Sequence, residues 1–505
     1  MSLLRVLLLN LPSPPGRNIE RDFAGGFGVV GSISRRRSFG HDASAPVLPP
    51  LLEAYAAASA RMRGHDVHIL DCQVRCWDLE SISAYIKNGS FELIVSRPCF
   101  PCFDGDQQVL RKIKSSAPDA VSATWGPVSC IYREELLGDS VDVVIEGELE
   151  TCLADLCDAL SGKTGLAEVR GISFSDGGRI VRTAPSPPLD DLDSLPSPAY
   201  ELLDMERYYD YGKIEMKRGG RGRRFFTVLS SRGCPYGCEY CPYILEFGTR
   251  WRALSAERTV DEVETLVRKY SVEAIWFRDP TWNFDVERSI AICNGLLEKD
   301  LRIVWRAEMR ADLVTDELAA AMKRSGCVNA QVGLETGADL LLSQRGKRGS
   351  TLGKMIKGFR SLRSASIPIT ANVMVGLPGE SWRTVRETAE ILDRLQPHRI
   401  NVAFLVPYPG TKLFEEARRK GWMKTQDRSC ISGDSPVLGY DDFSSEEIAL
   451  ARRYLLDRSR PKEKFKRLLR SLRYMHFGQA FDEVKWISRY PTVSRKVKEA
   501  VSTGE

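Results

Sequence analysis

The amino-acid sequence predicts an α/β protein in which an N-terminal doubly wound domain precedes a partial (β/α)6 barrel and a small helical C-terminal region. Three observations carry this reading. Short apolar runs alternate with helical stretches at ~30-residue intervals through residues 1–165. A proline-interrupted strap then breaks the pattern, and the alternation resumes for six further β/α units beyond residue 224. At 505 residues the chain is longer than one core usually organises, domains of about 100–200 residues being usual. The predicted boundaries are 1–165 for the doubly wound domain, 166–215 for a hairpin and proline-rich linker, 216–425 for the barrel and 426–505 for the C-terminal region.

The first strand is the run Val6–Leu11, followed by a helix near Pro50–Arg63, strand Val67–Leu70, a helix near Leu79–Lys87 and strand Leu93–Ser96. A helix near Asp106–Ser115 leads to strand Ala120–Thr124, and strand Val141–Ile145 leads to a helix near Glu150–Ser161. This alternation implies a parallel sheet covered on both faces, with ligands at the carboxyl ends of its strands. The loops predicted at that edge are Asn10-Leu-Pro-Ser-Pro-Pro-Gly16 with Gly25-Gly-Phe-Gly28, Ser96-Arg-Pro-Cys-Phe-Pro-Cys102, Thr124-Trp-Gly126 and Glu146-Gly-Glu148. Residues Val169–Thr183 read as a hairpin about the turn Asp176-Gly-Gly178. Prolines throughout Ala184–Tyr200 exclude helix and central strand there, leaving an ordered strap.

The second half opens on the apolar run Phe225–Leu229. A helix near Thr259–Tyr270, strand Ala274–Arg278, a helix near Val286–Glu298, strand Arg302–Ala307, a helix near Thr315–Ser325 and strand Ala330–Leu334 follow, then two more units with strands near Ile369–Val375 and Ile400–Phe404. Six such units suit a partial barrel with its active site at the carboxyl ends of the strands. Polar residues stand there: Asp279, Glu308 and Arg310, Glu335, and the turn Gly376-Leu-Pro-Gly-Glu380.

Composition narrows the function classes. Apolar stretches such as Leu3–Leu11 and Ala371–Leu377 are far shorter than the ~20 residues that span a bilayer, and the opening residues read as a strand rather than a signal peptide. Thirteen cysteines, an odd number scattered through a long chain, do not form a secreted disulfide framework, so a reducing cytoplasm is expected. A net charge of +5 is too small to imply nucleic acid.

The most informative stretch is Ser231-Arg-Gly-Cys234-Pro-Tyr-Gly-Cys238-Glu-Tyr-Cys241-Pro-Tyr243. Its C-x3-C-x2-C spacing puts three thiolates on one tight loop, enough for three irons of a [4Fe–4S] cubane whose fourth iron stays open to a ligand. A zinc site is the alternative, but zinc takes four ligands, usually in two C-x2-C pairs. With Tyr240 just before the third cysteine, the loop resembles that of the radical S-adenosylmethionine (AdoMet) superfamily. The resemblance implies that Cys234, Cys238 and Cys241 hold the cluster and that its open iron binds and reductively cleaves AdoMet to a 5′-deoxyadenosyl radical.

The resemblance also implies AdoMet contacts at Tyr240, Asp279, Glu308, Arg310, Glu335 and Gly376. Carboxylates, an arginine fork and glycine backbone are the groups that an ammonium, a carboxylate, ribose hydroxyls and an adenine edge require. Gly333-Leu-Glu335 and Gly376-Leu-Pro-Gly379 match superfamily phrases that line ribose and adenine, whereas Asp279-Pro280 departs from the Gly-Gly-Glu found in some members. The first half is similar to the Rossmann-like cobalamin-binding domain preceding the barrel in one large subgroup. It shares an Asn-x-Pro after strand one, the run Arg63-Gly-His-Asp-Val67, and Glu146-Gly-Glu-Leu-Glu150. Asn10, Ser96, Thr124, Gly126, Glu146 and Gly147 are then the expected cobalamin contacts. No D-x-H-x-x-G signature supplies a histidine to cobalt, which also leaves room for a domain that keeps the fold without the cofactor.

The implied function is a cobalamin-dependent radical AdoMet enzyme, a methyltransferase acting on an unactivated carbon of a small molecule or lipid: the adenosyl radical removes a hydrogen and the carbon radical takes methyl from methylcobalamin. An external flavodoxin- or ferredoxin-like protein would supply electrons. The alternatives are a non-methylating oxidation, cyclisation or carbon–carbon coupling, and, in another class, a cobalamin or redox sensor. Cys99-x2-Cys102 has the residue types of a redox-active pair or a metal site, but on a proline-rich loop, not at a helix start, it reads as lining. The first strand lacks the terminal cysteine that tRNA-modifying methylthiotransferases carry. Lys217–Arg224 reads as a solvated basic loop, and Arg458–Arg473, with eight basic residues and one acid, as an amphipathic helix suited to peripheral membrane contact or to docking on its own domain.

Overall fold

The computed structural model describes residues 3–14, 18–31, 48–209, 224–345, 347, 349–431, 433 and 435–457. The basic stretch 217–223 and the predicted amphipathic helix from Arg458 lie outside these residues.

The first sheet has seven strands: β1 (Arg5–Asn10), β2 (Asp66–Asp71), β3 (Leu93–Ser96), β4 (Val121–Trp125), β5 (Val143–Ile145), β6 (Ile172–Asp176) and β7 (Arg179–Arg182), in the order β2-β1-β3-β4-β5-β6-β7. The first five are parallel. β6 and β7 add antiparallel to one edge, so the predicted hairpin is continuous with this sheet. The central strands are buried on both faces, which is why they read as unbroken apolar runs. Helices α1 (Leu51–Met62), α2 (Leu79–Gly89) and α3 (Phe103–Ser116) make the first three crossovers and two short helices, Pro127–Ile131 and Arg133–Leu136, the fourth, while α4 (Leu149–Leu160) leads from β5 to the antiparallel β6. The strand order reverses between β1 and β3, the switch point at which a doubly wound sheet opens a crevice. α3 begins three residues earlier than its pattern suggests. Pro101 lies in a single 3-10 turn, Phe100–Cys102, that feeds directly into the helix, so Cys102 stands at a helix start and the loop reading of that phrase is corrected.

The second sheet has six parallel strands in sequential order: β8 (Phe225–Val228), β9 (Ala274–Phe277), β10 (Val304–Met309), β11 (Cys327–Glu335), β12 (Ile369–Val375) and β13 (Arg399–Phe404). Helices α5 (Ala256–Tyr270), α6 (Val286–Glu298), α7 (Asp316–Arg324), α8 (Leu352–Ser364) and α9 (Trp382–Leu395) cover it. This is the predicted (β/α)6 partial barrel. Two helices close the described chain, α10 (Lys412–Arg419) and α11 (Ser445–Asp457), the second packed by Ile448, Ala451 and Leu455. The strap between the sheets docks on both: Ala199 N bonds to Ala54 O at 3.0 Å, Tyr208 OH to Asp71 Oδ2 at 2.8 Å and Tyr209 OH to Tyr270 O at 2.6 Å.

Candidate functional site

The cysteine loop leaves β8 through Ser231–Arg232, which pairs antiparallel with Arg252–Ala253, so both ends of the loop are tied to each other. Gly233 makes the closure feasible: its φ is +76° and a Cβ there would stand 2.1 Å from Arg250 O, a place no side chain can occupy. Inside, Cys234 N donates to Gly248 O and Cys241 N to Cys238 O, and a short helix, Tyr243–Phe247, follows the third cysteine. The three cysteines are half-buried. Burial pushes the Cys241 thiol up to about 12 and raises Cys238, while Lys347 and Arg310 oppose the rise at Cys238. Three thiols on one clamped loop beside two cations fit a cluster that binds thiolates, the form a metal demands.

The expected AdoMet residues divide into two groups. Tyr240, Glu335 and Arg310 surround the cysteines. Burial lifts the Tyr240 hydroxyl well above its usual range, with Glu335 the next cause, and its side chain hydrogen-bonds Cys238. Glu335 sits at a break in register between β11 and β12, with φ +63°, which turns it out of the ladder beside the loop, where it pairs with Lys347 at 3.3 Å. Arg310 is held by Asp312 at 2.7 Å and lies 3.6 Å from the Tyr236 ring centre. Glu308 is raised by burial against the nearby cations Arg278, Arg306 and Lys347, and lies beside Tyr243. Asp279 serves the loop itself. Fully buried, it accepts from Ser230 N, Ser230 Oγ and Ser231 Oγ and so anchors the exit of β8 into the loop. Gly376, with φ +92°, ends β12; its N–H donates to Glu380 and its carbonyl accepts from Tyr440 OH at 2.6 Å. Sequence reasoning missed Thr281, whose hydroxyl lies 3.9 Å from Cys234 Sγ, and Lys347, for which no local pattern gave a signal.

At the carboxyl edge of the first sheet, Ser96 and Thr124 are register partners on β3 and β4. Both are buried, and their hydroxyl oxygens have no hydrogen-bond partner, a cost that a polar ligand would remove. Asn10, on the other side of the switch point, hydrogen-bonds Asp71, whose carboxyl burial lifts to about 6. Gly126 has φ +92° and packs under Arg97, a Cβ there falling 3.3 Å from its Nε. A narrow cleft runs from Trp125, Gly126 and Gly147 to Leu245 and Phe247 beyond the cysteine loop. The orphaned hydroxyls fit a polar group held at this edge, and the cleft begins one residue beyond Thr124. Glu146 is committed elsewhere: Arg133, Arg182 and Ser173 take its carboxylate, which holds the β6–β7 hairpin, and Gly147 packs against Cys152 and Ser186.

The carboxylates after Gly147 join the two domains. Glu148 accepts from Arg232 at 2.8 Å and from Arg252 at 2.5 Å, and Glu150 accepts from Arg232; all four side chains are at most 9% exposed. Arg232 is two residues from Cys234, so the loop is tied to the N-terminus of α4. A second set of ties runs through the segment 21–28. Arg97 bonds Asp22 at 2.8 Å and also Glu246, while Arg278 Nη2 donates to Asp22 O at 2.7 Å. Phe27 packs on Phe100 and Tyr408. Tyr55 of α1 donates to Glu262 of α5 at 2.7 Å.

Comparison with known proteins adds the following. Residues 228–392 match the Radical SAM superfamily. The chain is 29% identical over 420 residues to an uncharacterised methyltransferase of Pyrococcus horikoshii, covering 82% of this chain and 88% of that one. It is 26% identical over 377 residues to the anaerobic magnesium-protoporphyrin IX monomethyl ester cyclase of Rubrivivax gelatinosus, covering 73% of this chain and 66% of the other. Among solved structures, the radical S-adenosylmethionine methyltransferase TsrM of Kitasatospora setae, with cobalamin and a [4Fe–4S] cluster bound, superposes with a TM-score of 0.64 at 18% identity, over 83% of this chain and 75% of that chain. That likeness establishes the two-domain α/β fold.

Proposed function

We propose, from the premise that this chain is an enzyme of the radical SAM superfamily, that it is a cobalamin-dependent methyltransferase acting on an unactivated carbon of a small molecule or lipid. The observation that carries the reading is the pairing of two edges: the three-cysteine loop at the mouth of the barrel and, across the seam, the switch-point edge of a doubly wound domain with two orphaned hydroxyls. Relatives named as a methyltransferase and as a methylase support it.

When bound, the cluster supplies the electron that cleaves the sulfonium of AdoMet, and cobalamin supplies a transferable methyl group. The chain's own residues do the positioning. Cys234, Cys238 and Cys241 hold the cluster. Arg310, fixed by Asp312 and stacked on Tyr236, offers a guanidinium to a carboxylate, and Glu335 and Glu308 offer carboxylates to an ammonium or to hydroxyls. Tyr240 and the Gly376 turn flank the same mouth, and Asp279 holds the loop at its root. Ser96 Oγ, Thr124 Oγ1, Asn10 and the backbone of Gly126 would hold the corrinoid, with Glu146 and Gly147 shaping the edge beside it. A flavodoxin- or ferredoxin-like donor completes the scheme. The predicted basic helix 458–473 lies outside the described residues; no helix among those described is long and apolar enough to cross a membrane.

The likeness to the anaerobic cyclase favours one second reading, radical oxidation or ring closure without methyl gain. Protein made anaerobically with cobalamin and iron distinguishes them. Near-stoichiometric corrinoid, 5′-deoxyadenosine release and a substrate heavier by one methyl group are expected; an intact cluster with 5′-deoxyadenosine release and no retained corrinoid would overturn methyl transfer in favour of the second reading.

A further inference from the structure

One buried constellation takes no part in this scheme. Cys99-Phe-Pro-Cys102 follows β3 within a β-α-β unit and ends where the 14-residue helix α3 begins. Both residues are buried, and their sulfurs lie 2.8 Å apart. Beneath them Asp106 accepts from Cys99 N at 2.9 Å and meets Cys102 Sγ at 3.5 Å. Arg21 clasps Asp106 through both guanidinium nitrogens, at 2.7 and 2.8 Å, and its Nη1 stands 3.3 Å from Cys99 Sγ.

Two sulfurs and a carboxylate invite a metal reading, and two features count against it. The Asp106 oxygens are taken by a guanidinium, whose charge opposes a cation at the same spot. The sulfurs are also too close: thiolates about 2.3 Å from one tetrahedral ion stand roughly 3.8 Å apart. A C-x-x-C at a helix start after a strand, with its sulfurs nearly in contact and a cation alongside, has instead the arrangement of a thiol–disulfide centre.

We propose that Cys99 and Cys102 are a redox-active dithiol that exchanges with small-molecule disulfides of the glutathione class. Cys102, 7% exposed where Cys99 is 0%, attacks one sulfur of the disulfide; its hydrogen bond with Cys99, its burial and Asp106 hold its thiol well above the usual range, so the proton is given up only as the S–S bond breaks and passes to the departing sulfur, which leaves as a thiol. Cys99, whose sulfur lies 3.3 Å from Arg21 Nη1, then attacks the mixed disulfide, and its proton leaves with the second sulfur as a thiol. Two S–H bonds are lost and one S–S bond forms in the protein, while two electrons and two protons pass to the oxidant, which leaves as two thiols. The site touches the seam. Phe100 N donates to Phe27 O at 2.8 Å, and a Cβ at Gly28 would lie 3.0 Å from Cys99 Cβ, so closure of the disulfide acts on the segment that carries Asp22 to Arg97 and Arg278.

The test is an anaerobic equilibration of the cluster-loaded full chain with reduced and oxidised glutathione at graded ratios, followed by acid quench, alkylation and tryptic mass spectrometry. The fragment 88–111 holds these two cysteines and no others. Its two thiols are expected to become unalkylatable together, with a loss of about 2 mass units, and to return when the ratio is reversed. Cys99→Ser should replace the internal disulfide by a glutathione adduct on Cys102. Two thiols that stay alkylatable at every ratio, a disulfide that appears only after denaturation, or a stoichiometric metal that blocks alkylation until chelated would each overturn the proposal.

Discussion

Replacing Arg232 by alanine should unfold the seam between the domains at a cost far above that of an ordinary ion pair. Four charges meet there, Arg232 and Arg252 against Glu148 and Glu150, with no net charge and at most 9% exposure for any of them. In Arg232→Ala the remaining set carries one uncompensated negative charge, and Glu150, 2% exposed, loses the guanidinium it bonds. Breaking a buried pair from one side costs about 3–5 kcal/mol, against about 0–1 kcal/mol for an exposed pair. Urea unfolding of the cluster-free chain, followed by tryptophan fluorescence, should show this loss as a lower midpoint at unchanged slope. Adding Glu150→Gln removes the stranded carboxylate and should recover about 1–3 kcal/mol. The Arg232→Met, Glu150→Leu pair should lie closer to the parent than Arg232→Ala alone. A single variant within about 1 kcal/mol of the parent, or no recovery on adding Glu150→Gln, would refute the reasoning, because the lattice would then be solvent-relaxed rather than buried.

Three further outcomes are expected. Gly233→Ala should lower iron and sulfide content and the visible absorbance of the reconstituted protein, since its Cβ would stand 2.1 Å from Arg250 O; a normal iron load would show that the loop closes another way. Ser96→Val with Thr124→Val should leave the unfolding midpoint equal or higher, as unpartnered buried hydroxyls are removed, while corrinoid retention falls; undiminished retention would move the cofactor edge elsewhere. Burial raises the Glu380 carboxyl from 4.5 to about 8, so the folded state binds its proton more tightly than the unfolded chain does. That stabilisation is complete below about pH 4.5 and is lost as pH rises through about 8, with a ceiling of roughly 4–5 kcal/mol. Glu380→Gln should therefore flatten the fall in thermal midpoint between pH 6 and 9, and an unchanged slope would exclude Glu380 as its source.

What could be read from the sequence was whatever leaves a local trace. The central strands of the first sheet are covered on both faces, so Leu93–Ser96 and its neighbours stand out as apolar runs, and the C-x3-C-x2-C loop is recognisable by spacing alone. Gly333-Leu-Glu335 is visible as a phrase, but the register break that aims Glu335, and the Lys347 that meets it, depend on strands and loops folded against each other. Pro98 and Pro101, before and within Cys99-Phe-Pro-Cys102, suggested loop, although proline is tolerated in the first turn of a helix, and the helix start at Phe103 was hidden by that. The carboxylates of Glu146-Gly-Glu-Leu-Glu150 resemble a ligand set because their partners lie far along the chain: Arg232 is 82 residues from Glu150. A contact at that separation has no period and no motif.

The seam has a consequence for how the two halves meet during turnover. Tyr55 to Glu262, Arg97 to Glu246, Asp22 to Arg278, and Arg232 to Glu148 and Glu150 are ties made by side chains from different elements, and the strap adds moorings on both sides through the Ala199 backbone and the Tyr208 and Tyr209 hydroxyls. The gap between the cysteine loop and the switch-point edge is thus set once, when the chain folds, and not renewed at each catalytic cycle. Lengthening the proline strap would leave that gap unchanged, since the strap is a tether lying over an interface that is already locked; a substrate must be admitted by loops at the rim rather than by the halves swinging apart.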